Sequence, residues 1–401
     1  MKKSHIDWCP VIPDHWEEKR IKDIAFLQSG NSITAMDIAE EGKYPVYGGN
    51  GLRGYTNNYT NDGDYVLIGR QGALCGNINY AYGKFYATEH AVVVYTKNEE
   101  ITYWLGETLK AANLYRLSMT AAQPGLAVST LNIQFIPYPP RKERIRIANY
   151  LPEKCTEIDH QESLLTSKRD AYLRLKKSII NHAVTCGLNP NVKMKDSGIE
   201  WIGEVPEHWE VKRLKNVVEC NAKSLGENTP KDLIIKYVEI SDVDHVHGIN
   251  NIQSLMFGEA PSRARRITQK GDIIISTVRT YLKAITKIED DDIIVSTGFA
   301  VLHPTKCNGE YLAYYILSES FINRVEMLSK GTSYPAINAS DLVSINVLIP
   351  PLPEQHAIAT YLGDKCAKID TIVSNLDKQI SRYADLKRSL IDEVITGKRA
   401  V

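Results

Sequence analysis

The residues of this chain with the clearest chemical potential are a compact Asp-Val-Asp-His-Val-His run, Asp242 to His247, and two short acidic stretches that end in lysine. Asp242, Asp244, His245 and His247 have the donor chemistry of a zinc or other transition-metal site. No distant ligands accompany them, and the preferred reading is a turn with exposed histidines. Pro13-Asp14 with Glu17-Glu18-Lys19, repeated as Pro206-Glu207 with Glu210-Val211-Lys212, carries the residue types of a metal-dependent nuclease. The spacing is too short to bring carboxylates together across strands, and the flanking His-Trp points to packing. A DNA methyltransferase needs an Asn/Asp-Pro-Pro-Tyr/Phe motif to hold a flipped base, whereas Tyr138-Pro139-Pro140 lacks both the polar residue and the following aromatic. No Gly-x4-Gly-Lys-Ser/Thr loop is present to cradle a triphosphate. The seven cysteines contain no Cys-x-x-Cys pair and suit reduced thiols in a reducing compartment. The chain is therefore expected to carry no catalytic residue, no metal and no cofactor of its own.

A second set of side chains suits recognition of nucleic acid. Gly42 to Lys97 holds nine tyrosines and ten glycines, a composition that excludes helix and places Asn50, Arg53, Tyr55 and Asn57 in turns. Asn can pair bidentately with adenine and Arg with guanine, while Tyr reaches backbone oxygens. The Gly69-Arg70-Gln71-Gly72 turn presents Arg70 and Gln71 directly after a strand, and Gln123 lies in a later loop. The second half of the chain offers Arg263, Arg265 and Arg266, then Arg279, Thr280, Tyr281 and Lys283, and a loop Gly331-Thr332-Ser333-Tyr334 from which Ser333 and Tyr334 are candidates. The formal net charge is zero, but Ser262 to Lys287 holds seven cations against one acid, Asp272. A neutral total thus conceals a basic segment of the kind that grips phosphate.

An internal repeat organises these residues. Trp8 to Lys22, W-C-P-V-I-P-D-H-W-E-E-K-R-I-K, returns as Trp201 to Lys215, W-I-G-E-V-P-E-H-W-E-V-K-R-L-K, with eight identities in fifteen positions. Ile147 to Asp159 likewise matches Ile358 to Asp370. In between, Gly63-Asp64 corresponds to Gly271-Asp272, and Arg70 and Thr88 to Arg279 and Thr297. Short β-branched runs bounded by Gly, Asn and Asp predict sheet. Each middle is therefore a mixed α/β domain: residues 1–140 and 188–350, followed by long helices over 141–187 and 351–401.

Leu362, Cys366, Ile369, Val373, Leu376, Ile380 and Tyr383 form a heptad seam. The first copy keeps the register with Leu151, Cys155, Ile158, Leu165 and Tyr172, interrupted by Glu162 and Arg169, and with Leu175 and Ile179 carrying the stripe onward. About forty residues make a helix roughly 60 Å long. The fold class is thus α+β: two tandem domains, each trailed by a long helix, the helices pairing as an antiparallel coiled coil with pseudo-twofold symmetry. Such a pair can act as a ruler for two half-sites, which lie about 34 Å apart for one turn of duplex.

The Trp201–Lys215 element, the G-R-Q-G turn, I-P-P-L-P-E-Q-H-A-I-A-T-Y-L from Ile349 to Leu362, and L-K-R-S-L-I-D-E-V-I-T-G-K from Leu386 to Lys398 together resemble the specificity subunits of type I restriction–modification systems. The likeness spans nearly all 401 residues. It implies a non-catalytic subunit whose domains read the two halves of an asymmetric bipartite DNA target. It also implies helices that dock two adenine methyltransferase subunits, and motor-nuclease subunits that join for restriction. S-adenosylmethionine, ATP and Mg are then expected in the partners. One departure is visible: Pro353-Glu354-Gln355 answers to Lys142-Glu143-Arg144, so the Glu-Gln pair is intact only at the second helix. With no signal-peptide pattern and no apolar run of membrane-span length, a cytoplasmic protein is expected. Two other readings stay open on the residues alone: a scaffold whose tyrosine-rich domains bind protein or carbohydrate, and a chain with its own nuclease.

Overall fold

The structure, a computed structural model, describes residues 1–97, 102–118, 124–244, 248–331 and 333–401. It separates into two units. The first comprises Met1–Thr166 with Lys378–Val401, and the second Ser167–Asp377. The units thus do not end where the long helices begin: each helix is shared between them.

In unit 1 the central sheet is built from β1 (Ala25–Ser29), β2 (Tyr65–Gly69), β3 (Ile78–Ala81) and β4 (Ala91–Thr96), in the order β1-β4-β2-β3 and antiparallel throughout. Its inner strands are buried on both faces, which is why they read as unbroken apolar runs rather than alternating ones. Val66, Ile68, Val92 and Val94 pack with the helices, and Leu67 and Val93 pack with Phe85 and Ala87 of a second sheet. That second sheet runs Gly51–Thr56, Tyr44–Gly48, Lys84–Ala87, Asn61–Asp62, its central pair parallel. Glu17–Arg20 pairs antiparallel with Phe135–Tyr138, just before helix α1 (Arg141–Cys186).

Unit 2 repeats this plan. β5 (Val218–Cys220), β6 (Ile273–Ser276), β7 (Ile285–Lys287) and β8 (Phe299–Pro304) follow the order β5-β8-β6-β7. The second sheet runs Gln253–Met256, Ile234–Val238, Ile293–Ser296, Ala264–Ile267, again with a parallel central pair. Glu210–Arg213 pairs with Asn346–Ile349 ahead of helix α2 (Leu352–Ile395).

Within unit 2 the two helices run antiparallel, because Arg169 reaches Asp377 at 3.4 Å and Lys176 reaches Asp370 at 2.6 Å, one heptad later on one helix and one heptad earlier on the other. Within unit 1, Lys387 meets Asp159 at 2.7 Å in the same register. Leu151, Cys155, Ile158, Leu362, Cys366, Ile369 and Leu376 are buried on the expected seam, while Leu165, Tyr172, Val373, Ile380 and Tyr383 are half-buried. Leu175 departs from expectation: it is 46% exposed. The heptad continuation from Tyr172 falls on Lys176, whose ammonium is held by Asp370, and the apolar stripe resumes at Ile179 and Ile180.

The end of each helix seats on a tryptophan motif. Gly187, with φ +79°, follows α1, and a Cβ there would lie 3.2 Å from the Trp209 ring. Gly397, with φ +71°, follows α2 and lies against Pro13 and Trp16. Leu390, Val394 and Ile395 enter the core of unit 1, just as Ile180, Ala183 and Val184 enter that of unit 2. Residues 378–401 therefore supply to unit 1 the part that 167–187 supplies to unit 2.

Candidate nucleic-acid interface

The His-Trp-Glu motif that anchors the repeat is structural. His15 Nε2 lies 2.8 Å from Glu143 and Trp16 Nε1 donates to the same carboxylate at 2.9 Å. In the second copy His208 lies 2.7 Å from Glu354. Both acids sit in the first turn of a long helix, where a carboxylate also suits the helix dipole. The next residue of each helix caps the Pro-Pro turn: Gln355 Nε2 donates to the Pro350 carbonyl at 2.8 Å, and Arg144 Nη1 to the Pro139 carbonyl at 2.7 Å. Arg144 thus makes the equivalent contact where the Glu-Gln pair is broken.

The acidic stretches do not converge. Asp14 pairs with the amino group of Met1 at 3.0 Å, Glu17 with Lys19 at 3.2 Å, and Glu18 with His5 at 3.3 Å. In the other copy Glu207 pairs with Lys193 and Glu210 with Lys212. Asp242 accepts from the Glu239 amide at 3.1 Å and Asp244 from Asn250 at 2.8 Å, while His245 and His247 lie outside the described residues. Among the described residues no cluster of three or more His, Cys, Asp or Glu could hold a metal ion. All seven cysteines are free, and burial pushes the Cys9 and Cys307 thiols up to about 11.

What each unit leaves free is the turn between the inner strand and its hairpin partner, β2 to β3 and β6 to β7. Strand register matches the two turns residue by residue. Ile68 pairs with Ile78, and Ile275 with Ile285. Gly69 donates to the Asn77 carbonyl at 2.8 Å, and Ser276 to that of Ala284 at 2.9 Å. Arg70 accepts through its carbonyl from Leu126, and Thr277 from Ile337. Arg70 therefore corresponds to Thr277, and Gly72 to Arg279, which corrects the pairing of Arg70 with Arg279. Thr88 likewise corresponds to Ser296 rather than Thr297, both being buried beside the same bend. Identity-based matching failed here because the turn side chains have diverged completely while the backbone has not.

The candidates divide by environment. Asn50, Arg53, Asn57, Gln71, Arg279, Tyr281, Ser333 and Tyr334 are exposed. Tyr55 and Asn57 line an open cleft of about 610 Å³ with Thr34, Asp37 and Tyr86. Arg70 is half-buried and donates to Ser29 Oγ at 3.2 Å. Arg263 is engaged by Glu239, Arg265 stacks 4.6 Å over Phe257, and Arg266 is half-buried on its strand. Thr280 is buried and bonds to Ser329 Oγ at 2.8 Å, so it holds the turn. Lys283 is half-exposed, 3.4 Å from Glu326. Gln123, and Thr332 of the second loop, lie outside the described residues. Sequence reasoning missed Leu74, which is 51% exposed at the position of Tyr281, itself 53% exposed; an apolar side chain between two glycines gave no polar signal.

Two copies of one framework, differing in side chains at the same exposed turn, define a tandem recognition protein. The chain belongs to the family of the type I restriction modification DNA specificity domain, whose model matches residues 13–163 and 206–382. It is similar to the type I restriction enzyme EcoprrI specificity subunit of Escherichia coli, 42% identical over 157 residues that make up 37% of this chain and 39% of that protein. It is also similar to the MjaVIII specificity subunit of Methanocaldococcus jannaschii, 24% identical over 96% of this chain and 93% of that protein. A solved chain from work on complex assembly and conformational transition of the type I R-M system shares the fold, with TM-score 0.70 at 16% identity, over 97% of this chain and all of that one.

Proposed function

We propose that this chain is the DNA-reading specificity subunit of a type I restriction–modification complex. Each unit reads one half of an asymmetric, bipartite duplex sequence. The paired helices fix the gap between the halves and dock two adenine methyltransferase subunits, and motor-nuclease subunits join for restriction. The observation that carries this reading is the duplicated sheet framework with a divergent exposed turn at the same position in each unit. One scaffold is thereby presented twice with different side chains, as two different half-sites require. Asn50, Arg53, Tyr55, Asn57, Arg70, Gln71 and Gln123 in unit 1 supply base-edge and phosphate contacts. In unit 2 they come from Arg263, Arg265, Arg266, Arg279, Thr280, Tyr281, Lys283, Ser333 and Tyr334. The chain carries out no chemistry itself. S-adenosylmethionine, ATP and Mg are bound by the partners, and the complex works in the cytoplasm, where the chromosome and invading DNA are found. No helix among the described residues is long and apolar enough to cross a membrane.

The test is to co-express the chain with its methyltransferase subunit and map methylated adenines across the host genome. A single split motif, two short blocks around a fixed gap, is the expected result. A formed complex that adds no methylation would sink the proposal and favour a scaffold without DNA recognition.

A further inference from the structure

Among the described residues five that are not glycine have positive φ, and three of them are Asn or Asp, which tolerate that conformation. The other two are Arg279 (φ +53°) and Lys283 (φ +51°), at the two ends of one turn in unit 2. Left-handed backbone crowds Cβ against the following carbonyl, so a long side chain there is strained. Register places Gly72 (φ +86°) and Gly76 (φ +82°) at the same two positions of unit 1. The framework can therefore be built with glycine at both points, and unit 2 departs from the easy solution twice, each time for a cation.

Among the described residues of unit 2, no buried contact of either side chain accounts for the choice. The turn is held by bonds that do not involve either side chain. The Leu282 amide donates to the Arg279 carbonyl at 2.9 Å, the Lys283 amide to that of Thr280 at 3.0 Å, and Thr280 is tied to Ser329. Arg279 is exposed, makes no ion pair among the described residues, and lies 5.3 Å over the ring of Tyr334, itself 67% exposed. A guanidinium stacked on an exposed tyrosine is oriented without being neutralised. Lys283 has a surface partner in Glu326, of the kind that contributes little. In unit 1 no Lys or Arg occurs between Arg70 and Lys84, and Arg70 is already turned to Ser29.

We infer that Arg279 and Lys283 form a preset phosphate anchor that unit 1 lacks, so that the two halves of the target are gripped unequally and unit 2 supplies more of the salt-sensitive binding. This rests on the DNA-reading function proposed above.

The experiment uses the full chain in complex with its methyltransferase subunits and a duplex carrying the mapped target. Binding is measured across a salt series for the wild type, for R279G/K283G, which copies unit 1, and for R279Q/K283Q, which keeps side-chain length without charge. The glycine variant is expected to melt at the same or a higher temperature. Both variants should bind at least tenfold more weakly, with the slope of log K against log salt shallower by about two. Unchanged affinity and slope in folded variants would overturn the inference, as would a lowered melting temperature of the glycine variant together with full binding by the glutamine variant. If the wild-type complex itself shows no salt-dependent duplex binding, it is the DNA-reading function that fails; wild-type binding with unmoved variants refutes only the anchor.

Discussion

Replacing Gln355 with alanine tests how the long helices are fastened to the units. Gln355 is 2% exposed. Its Nε2 donates to the Pro350 carbonyl at 2.8 Å, and its Oε1 accepts from the Asn308 amide at 2.7 Å, at the start of helix Gly309–Ile316. One side chain thus ties three segments of unit 2 together. Truncation leaves a buried carbonyl and a part-buried amide without partners. At about 1–3 kcal/mol for the first and about 1 kcal/mol for the second, the loss is roughly 2–4 kcal/mol. For a unit of this size that corresponds to a fall of roughly 5–15 °C in melting temperature. Calorimetry of the full chain reads the shift, and faster amide exchange over 309–316 assigns it to unit 2. Arg144→Gln in unit 1 should cost less, about 1–2 kcal/mol, because glutamine can reach the Pro139 carbonyl while the stacking over Tyr138 at 4.1 Å and Trp104 at 5.4 Å is lost. A Gln355→Ala shift below about 1 °C with unchanged exchange would refute this role for the residue.

Gly397→Ala should destabilise unit 1 by about 1–3 kcal/mol, since a Cβ would sit 2.5 Å from Pro13 at a φ of +71°; chemical denaturation measures it. Stability should fall as pH rises from about 8.5, where unfolded thiols ionise, towards about 11, because burial holds Cys9 and Cys307 neutral in the fold. Urea midpoints from pH 8 to 10.5 should show a smaller decline in a Cys9→Ala/Cys307→Ala variant than in the wild type. Exchanging Gly42 to Lys97 for the matching segment of another specificity domain should alter one half of the methylated motif and leave the other half and the gap intact; sequencing for methylated adenines would expose any loss of both halves.

The tandem plan was legible because packing against tryptophan preserves identity. Trp16 and Trp209 are buried against helix ends, and the histidine before each is held by Glu143 or Glu354, so the motif around them barely changes. The helical seam was legible from its heptad spacing, except at Leu175, which is exposed because the seam position falls on Lys176, paired with Asp370 across the helices. The candidate recognition turn was legible in both copies, but its residue-by-residue match was not. Its backbone is fixed by strand register while its side chains are free to vary, so Gly72 opposite Arg279 leaves no trace that identity can detect. The division of the chain was hidden too, since Leu386 to Lys398 reads as the end of a helix and nothing in its local pattern says that its apolar residues belong with Ile6, Ile12 and Trp16.

That division sets an order of assembly. During synthesis unit 2 is complete once Asp377 has emerged, although it lies second in the chain. Unit 1 begins at Met1 and lacks part of its core until Leu390, Val394 and Ile395 appear. At about 5–20 residues per second the first unit waits roughly ten to forty seconds for its last piece. Through that interval the seam face of α1 at Leu151, Cys155 and Ile158 lacks its α2 partner. A nascent chain stalled anywhere in the final two dozen residues would carry a finished second reader and an open first one.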